Sequence, residues 1–238
     1  MVSAESLNIK IFADGADIDG ILEMYANPMI KGFTTNPTLM RQVGIEDYEA
    51  FGRGLLEKVC DRPVSLEVFA DEFDEMERQA LKIASWGPNV NVKIPITNTR
   101  GESAANLIEK LSGEGVVVNV TAMMTLDQVR TVAGALSPDT GAIVSVFAGR
   151  VADTGVDPVP HMAAALDILQ SKPKAELLWA SPREFLNIFQ ANDVGCHIIT
   201  MTNNLLAKLS LVGKDLDEYS LETVQMFYRD ASSAGYSL

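Results

Sequence analysis

Short apolar runs rich in β-branched residues recur along the chain, at residues 9–13, 32–35, 64–69, 90–94, 116–121, 142–147, 177–180 and 196–201. Each is four to six residues long, the length of a buried strand rather than of a helix. Between them the period changes. Residues 103–111 and 126–133 place apolar side chains three and four positions apart, the spacing that lines one face of a helix. The pattern therefore predicts eight strands alternating with helices, that is, parallel βαβ units, and eight such units close into a (β/α)8 TIM barrel. A further helical pattern at residues 221–234 lies beyond the eight units and predicts an extra C-terminal helix.

An open doubly wound sheet shares this alternation but normally carries a glycine fingerprint after its first strand. The segment Asp14-Gly15-Ala16-Asp17-Ile18-Asp19-Gly20 does not match G-x-G-x-x-G. Nor is it a calcium loop, because Gly15 stands where the first acidic ligand would be and Ala26 where the closing glutamate would be.

Composition narrows the class further. With 238 residues, 47% of them apolar and 21% charged, the chain fits one undivided α/β barrel domain over residues 1–238. A net charge of −13 argues against a sequence-independent grip on nucleic acid, so any anionic ligand needs a local site. Cys60 and Cys196 lie far apart without metal-ligand spacing, and the opening residues lack the apolar core of a signal peptide. No stretch approaches the roughly 18 apolar residues of a membrane helix. The expectation is a protein of the reducing cytoplasm, with no membrane or nucleic-acid partner.

Lys93 changes the picture most. It lies in Asn91-Val92-Lys93-Ile94-Pro95-Ile96, where strand alternation sends Val92, Ile94 and Ile96 to one face and Lys93 to the other. The amine is thus expected inside the barrel. Burial disfavours the ammonium form of a lysine and makes a nucleophile able to form a Schiff base with a carbonyl substrate. A snorkelling or ion-paired lysine is the plainer alternative.

In this fold, catalytic groups sit at the C-terminal ends of the strands. Polar residues occur there run after run: Asp14, Asn36, Glu67, Lys93, Asn119 with Thr121, Ser145 with Phe147, and Ser181. A polar face repeated across buried strands is unfavourable unless its members satisfy one another or a ligand. Taken singly, several have ordinary explanations. Asp14 reads as a helix cap, Asn36 before Pro37 as an N-cap, and Ser181-Pro182-Arg183-Glu184 as a capping box. Glu67 among apolar neighbours reads equally as a structural ion-pair partner of Lys93 or as a catalytic group. Phe147 alone reads as core, and Arg150 as surface.

Four motifs in order give the chain a specific resemblance: Gly32-Phe33-Thr34-Thr35-Asn36-Pro37-Thr38, Asn91-Val92-Lys93-Ile94-Pro95, Asn119-Val120-Thr121 and Ser145-Val146-Phe147-Ala148-Gly149-Arg150. They resemble the transaldolase family, Schiff-base enzymes acting on sugar phosphates, over residues 9 to about 211. The length is similar to that of the compact branch, which also contains fructose-6-phosphate aldolases. The resemblance implies that Lys93 attacks the ketose carbonyl, that Asp14 is the general base on the C4 hydroxyl, and that Glu67 and Thr121 hold a catalytic water. It implies that Asn36, Asn119 and Ser145, beside Phe147, bind the dihydroxyacetone unit. Arg150, Ser181 and Arg183 would grip the phosphate, with the helix begun by Ser181 adding its N-terminal N–H groups. Pro182 departs from the family, which usually has an aromatic residue there.

The reading calls for sugar-phosphate substrates, no cofactor and no metal ion. Transfer of dihydroxyacetone, its release by an aldolase, and mere sugar-phosphate binding are the three functions to be separated. Glu67 and Phe147 bear on the first two, because the resemblance implies glutamine and tyrosine at these positions in the aldolase branch. The resemblance also implies a homo-oligomer, a ring-shaped decamer as in compact members or a dimer as in larger ones, and the last helix could exchange between neighbours.

Overall fold

The computed structural model describes residues 7–236, so residues 1–6 of the opening segment lie outside the described part. Eight parallel strands, β1 (Lys10–Asp14), β2 (Ile30–Thr34), β3 (Val64–Glu67), β4 (Val90–Pro95), β5 (Val118–Met123), β6 (Ala142–Val146), β7 (Ala175–Trp179) and β8 (Ile198–Thr202), form a closed barrel in sequence order. Closure is through β1, which pairs with β2 on one side and β8 on the other. This is the TIM barrel that the alternation predicts.

The two faces of the wall differ. Val64, Leu66, Val92, Ile94, Val118, Val120 and Val144 are buried outward against the helices, in one continuous apolar layer. The inward face is split. Phe12, Ile143, Leu178 and Ile198 form a separate apolar cluster inside the barrel, while Lys93, Asn119, Ser145, Thr34 and Thr200 are buried polar residues. Gly32 makes the apolar cluster possible: a Cβ at this position would stand 2.5 Å from the Phe12 ring.

Strand ends differ from the predicted ones because pairing, not local hydropathy, sets them. β2 starts at Ile30, running through Lys31, since Ile30 pairs with Ile11. β3 stops at Glu67, which leaves Phe69 half-exposed outside the strand. β5 runs to Met123 rather than to Thr121, and β6 ends at Val146, before Phe147. The C-terminal helix is Leu216–Ser233, longer at its start than the predicted 221–234, because the Asp215 carboxylate accepts the N–H groups of Asp217 and Glu218 and caps it. No residue of this helix is buried. No helix of the described residues is long and apolar enough to cross a membrane.

Candidate active site

β4 carries Lys93 between Glu67 of β3 and Asn119 of β5, its register partners on either side. Its side chain is buried. The amine donates to the Thr35 carbonyl at 2.7 Å and to Glu67 Oε2 at 2.9 Å. An ammonium has three donors, and the third has no protein acceptor among the described residues. The carboxylate is 17% exposed at the side chain, so the pair is shielded from water on most sides and lies next to the cleft.

Asp14 ends β1. Thr34 Oγ1 donates to its Oδ1 at 2.7 Å and Asn36 Nδ2 donates to its Oδ2 at 3.3 Å. Because the Thr34 proton points to Asp14, the 2.6 Å contact with Thr200 is a bond donated by Thr200 to Thr34 Oγ1. Asp14 keeps a partly exposed edge at the cleft but is ringed by protein, and this desolvation pushes its carboxyl above the ordinary value, against the lowering effect of Thr34. It does not cap the following helix; Asp17 does, by accepting from the Gly20 N–H. Asn36 is the N-cap that the sequence predicts. Its Oδ1 accepts the Leu39 N–H to cap the helix Pro37–Gln42, while its amide nitrogen is turned to Asp14.

Asn119 is fixed from both ends, donating to Ser65 Oγ at 3.0 Å and accepting from Ser145 Oγ at 2.7 Å. Thr121 lines the same cleft from a disturbed stretch of β5, where the register with β6 slips between Val120 and Met123 and Ala122 adopts a left-handed φ of 62°. Such strain in a non-glycine residue persists only where surrounding packing enforces it, and it gathers at functional sites.

The phosphate end departs from expectation. Ser181 is left-handed, with φ 57°, and no helix starts there. The helix is Asn187–Val194, and Asn187 Oδ1 accepts the N–H groups of Arg183 and Glu184 that a Ser181 cap would have served. The capping box and the helix N-terminus expected at Ser181 are therefore absent, and the segment is an irregular turn. The cause is a close crossing: a Cβ on Gly149 would lie 1.6 Å from the Ser181 carbonyl oxygen, so the two backbones touch. Arg150 and Ser181 both line the cleft. Arg150 stacks over the Phe147 ring at 5.4 Å. Arg183 is held elsewhere, with its Nε bonded to both Asp153 oxygens at 2.9 and 3.1 Å.

The cleft at the C-terminal mouth has a volume of about 440 Å³ and draws together Asp14, Asn36, Glu67, Lys93, Asn119, Thr121, Ser145, Phe147, Arg150 and Ser181. Arg183 alone of the predicted set is not on its wall. The family described as Transaldolase/Fructose-6-phosphate aldolase matches residues 11–238. Among similar proteins, the "Probable transaldolase 2" of Listeria monocytogenes is 33% identical over 206 residues, covering 84% of this chain and 88% of that protein. A "Probable transaldolase" of Dehalococcoides mccartyi is 34% identical over 202 residues, covering 84% and 90%.

The chain belongs to the transaldolase/fructose-6-phosphate aldolase family.

Solved structures of the same shape include dihydrodipicolinate synthase from Rhodopseudomonas palustris, with a TM-score of 0.60 and 15% identity over 97% of this chain and 81% of that one. A HpcH/HpaI aldolase/citrate lyase family protein from Burkholderia cenocepacia gives 0.57 and 14% over 92% and 95%. At these identities the likeness speaks for the barrel alone.

This member of the transaldolase/fructose-6-phosphate aldolase family also has site residues beyond the predicted set. Thr34, Ser65 and Thr200 complete the hydrogen-bond network. Thr34 and Thr200 are polar residues at the C-terminal ends of apolar strands, the same signal that singles out Glu67. A larger concavity, about 660 Å³, opens at the opposite mouth between Lys10, Lys31, Asn91 and Lys174. It contains none of the converging groups above, and in barrels that mouth serves stability.

Proposed function

We propose that this protein is a transaldolase, moving a dihydroxyacetone unit from a ketose phosphate such as fructose 6-phosphate or sedoheptulose 7-phosphate to an aldose phosphate such as erythrose 4-phosphate or glyceraldehyde 3-phosphate. The observation that carries the reading is the buried Lys93 amine 2.9 Å from Glu67. An amine nucleophile needs a neighbour to take and return its proton, and a carboxylate within hydrogen-bond reach is suited to that task.

In this reading Lys93 attacks the C2 carbonyl and, as water leaves, forms an iminium. Asp14 takes the C4 hydroxyl proton; the C3–C4 bond breaks, its electrons pass into the iminium to give an enamine, and the first aldehyde departs. The acceptor aldehyde then meets the enamine carbon, Asp14 returns the proton to the new alkoxide, and hydrolysis frees Lys93. Desolvation of Asp14 supports its role as base, since a carboxyl raised toward the working pH accepts a proton more readily. Glu67 and Thr121 handle the water. Asn119, clamped between Ser65 and Ser145, holds the dihydroxyacetone hydroxyls together with Ser145 and Asn36, which fixes the enamine for the second half-reaction. Arg150 and Ser181 receive the phosphate, with Arg183 next to them.

Phe147 supports transfer over release. Its ring packs on the apolar cluster inside the barrel and offers no hydroxyl to bring water or a proton to the enamine. The homo-oligomer expectation is supported by the C-terminal helix, where Leu216, Leu221, Val224 and Phe227 are exposed. The functional test is product partition. With fructose 6-phosphate alone little dihydroxyacetone should appear, and addition of erythrose 4-phosphate should give sedoheptulose 7-phosphate rapidly. Equal cleavage with and without acceptor would make the protein an aldolase.

A further inference from the structure

The end of β3 has a hydrogen-bonding problem. β2 pairs with β3 only through Phe33–Val64 and Thr34–Ser65, and β2 then ends. Continuation of that ladder would give the Glu67 N–H to the Thr35 carbonyl, but that carbonyl accepts from the Lys93 amine and the next residue, Asn36, has left the sheet to cap a helix. The Glu67 N–H therefore has no strand partner, and a buried N–H without an acceptor is destabilising.

Tyr48, the first residue of the helix Tyr48–Lys58, supplies it. Its hydroxyl oxygen accepts the Glu67 N–H at 2.7 Å. Thr35 spends its own hydroxyl proton on the Ser65 carbonyl at 3.0 Å, beside the same strand end. Burial pushes the Tyr48 pKa up, so the hydroxyl stays neutral. The ring is fixed edge-on by Phe69, with centroids 4.3 Å apart, and flanked by Trp86 at 5.8 Å. Trp86 in turn packs against Gly52 of the same helix, where a Cβ would come within 2.6 Å of the indole.

The residue that Tyr48 holds is one of the two that hold Lys93. Thr35 gives its carbonyl and Glu67 its carboxylate to the amine, and these are its only hydrogen-bond partners among the described residues. We infer that Tyr48 is a positioning residue for the Schiff-base chemistry: from outside the barrel wall, its hydroxyl fixes the backbone of Glu67 and so sets where the Glu67 carboxylate and the Lys93 amine stand. Tyr48 is not on the wall of the cleft. The inference rests on reading Lys93 and Glu67 as the reacting pair.

Tyr48→Phe tests it, because the variant keeps the ring, Phe69 and Trp86 and removes one oxygen. Misplacement of reacting groups lowers rate rather than binding, so kcat should fall about tenfold to a hundredfold with KM for fructose 6-phosphate unchanged. Borohydride trapping of the sugar on Lys93 should slow by the same factor. Leu55→Val, a buried change on the same helix away from Glu67, is the control for lost stability and should leave kcat unaltered at temperatures where both variants are folded. An unchanged kcat and trapping rate in folded Tyr48→Phe would overturn the inference, as would an equal fall of kcat in Leu55→Val. Lys93→Met separates the underlying reading: if that variant still turns over, the lysine assignment fails and the role of Tyr48 fails with it. If Lys93→Met is inactive while Tyr48→Phe is fully active, only the Tyr48 inference fails.

Discussion

The hydroxyl of Thr34 donates to the Asp14 carboxylate across 2.7 Å, joining the end of β2 to the end of β1. Thr200, at the end of β8, donates to the same Thr34 oxygen, so three neighbouring strands hold one carboxylate through two hydroxyls. The arrangement aims Asp14 while leaving its other oxygen to Asn36. It also places the carboxyl where protein replaces water, which gives the group a pH-dependent effect on stability.

The folded-state pKa of Asp14 is raised above its ordinary 3.8, with burial the largest cause. A carboxyl shifted upward favours the folded state most when protonated. Its contribution is fully present below 3.8 and is lost as pH rises through the folded-state value. Asp14→Asn should therefore raise Tm relative to the wild type at neutral pH, by a margin that shrinks toward zero as pH approaches about 4. Turnover should drop by about 10²–10⁴, since the amide cannot accept the C4 proton. Thermal scans of both proteins across this range decide the matter, and a margin that widens in acid would contradict the burial argument.

Borohydride reduction with fructose 6-phosphate, followed by peptide mass mapping, should place one adduct on Lys93. Lys93→Met should abolish adduct and turnover. It also leaves Glu67 without its cation, and loss of one member of a buried pair destabilises by about 3–5 kcal/mol. Partial exposure of Glu67 should reduce this to about 1–3 kcal/mol, the usual range for a desolvated group that loses its partner. Adding Glu67→Gln should recover most of the stability and none of the activity. An adduct on Lys31 or Lys208 would move the site.

Arg150→Ala should raise KM for phosphorylated substrates by about 10- to 100-fold, the range expected when a hydrogen bond to a charged group is lost, with little effect on unphosphorylated dihydroxyacetone. Arg183→Ala asks a separate question, because Asp153 engages that guanidinium. A selective rise in KM for phosphorylated donors would mean that Arg183 leaves Asp153 for the substrate. Equal effects on both substrate types would remove it from phosphate recognition.

Phe147→Tyr should shift the balance from transfer toward release. A phenol beside the enamine gives water or a proton a polar foothold, so free dihydroxyacetone from fructose 6-phosphate should increase and formation of sedoheptulose 7-phosphate decrease. Parallel quantification of both products is the measurement, and an unchanged ratio would mean that this ring does not govern the partition.

The barrel was legible because parallel strands covered on both faces are written as largely apolar runs, such as Val116-Val117-Val118 and Ala142-Ile143-Val144. Their ends were less so. Lys31 looks like a boundary, yet pairing with β1 carries β2 past it to Ile30. The polar groups of the site stand out for the same reason as Lys93, as breaks in apolar strands. Ser181 misleads because Ser-x-x-Glu is a local pattern, whereas its conformation is imposed by the backbone near Gly149. Tyr48 has no local signal at all: a tyrosine opening a helix resembles a surface residue, and its importance comes from where β2 happens to stop.

Phe12, admitted by Gly32, closes the barrel axis together with Ile143, Leu178 and Ile198, and the two concavities on either side share no wall residue. The site thus has one doorway. In the proposed transfer, a donor's first aldehyde would leave by the route through which the acceptor arrives, so the two half-reactions would not overlap, and each aldehyde would obstruct the other in proportion to its concentration. Ordering of the kinetic cycle is in this sense a property of a plug in the barrel axis, on the far side of the chemistry from the entrance.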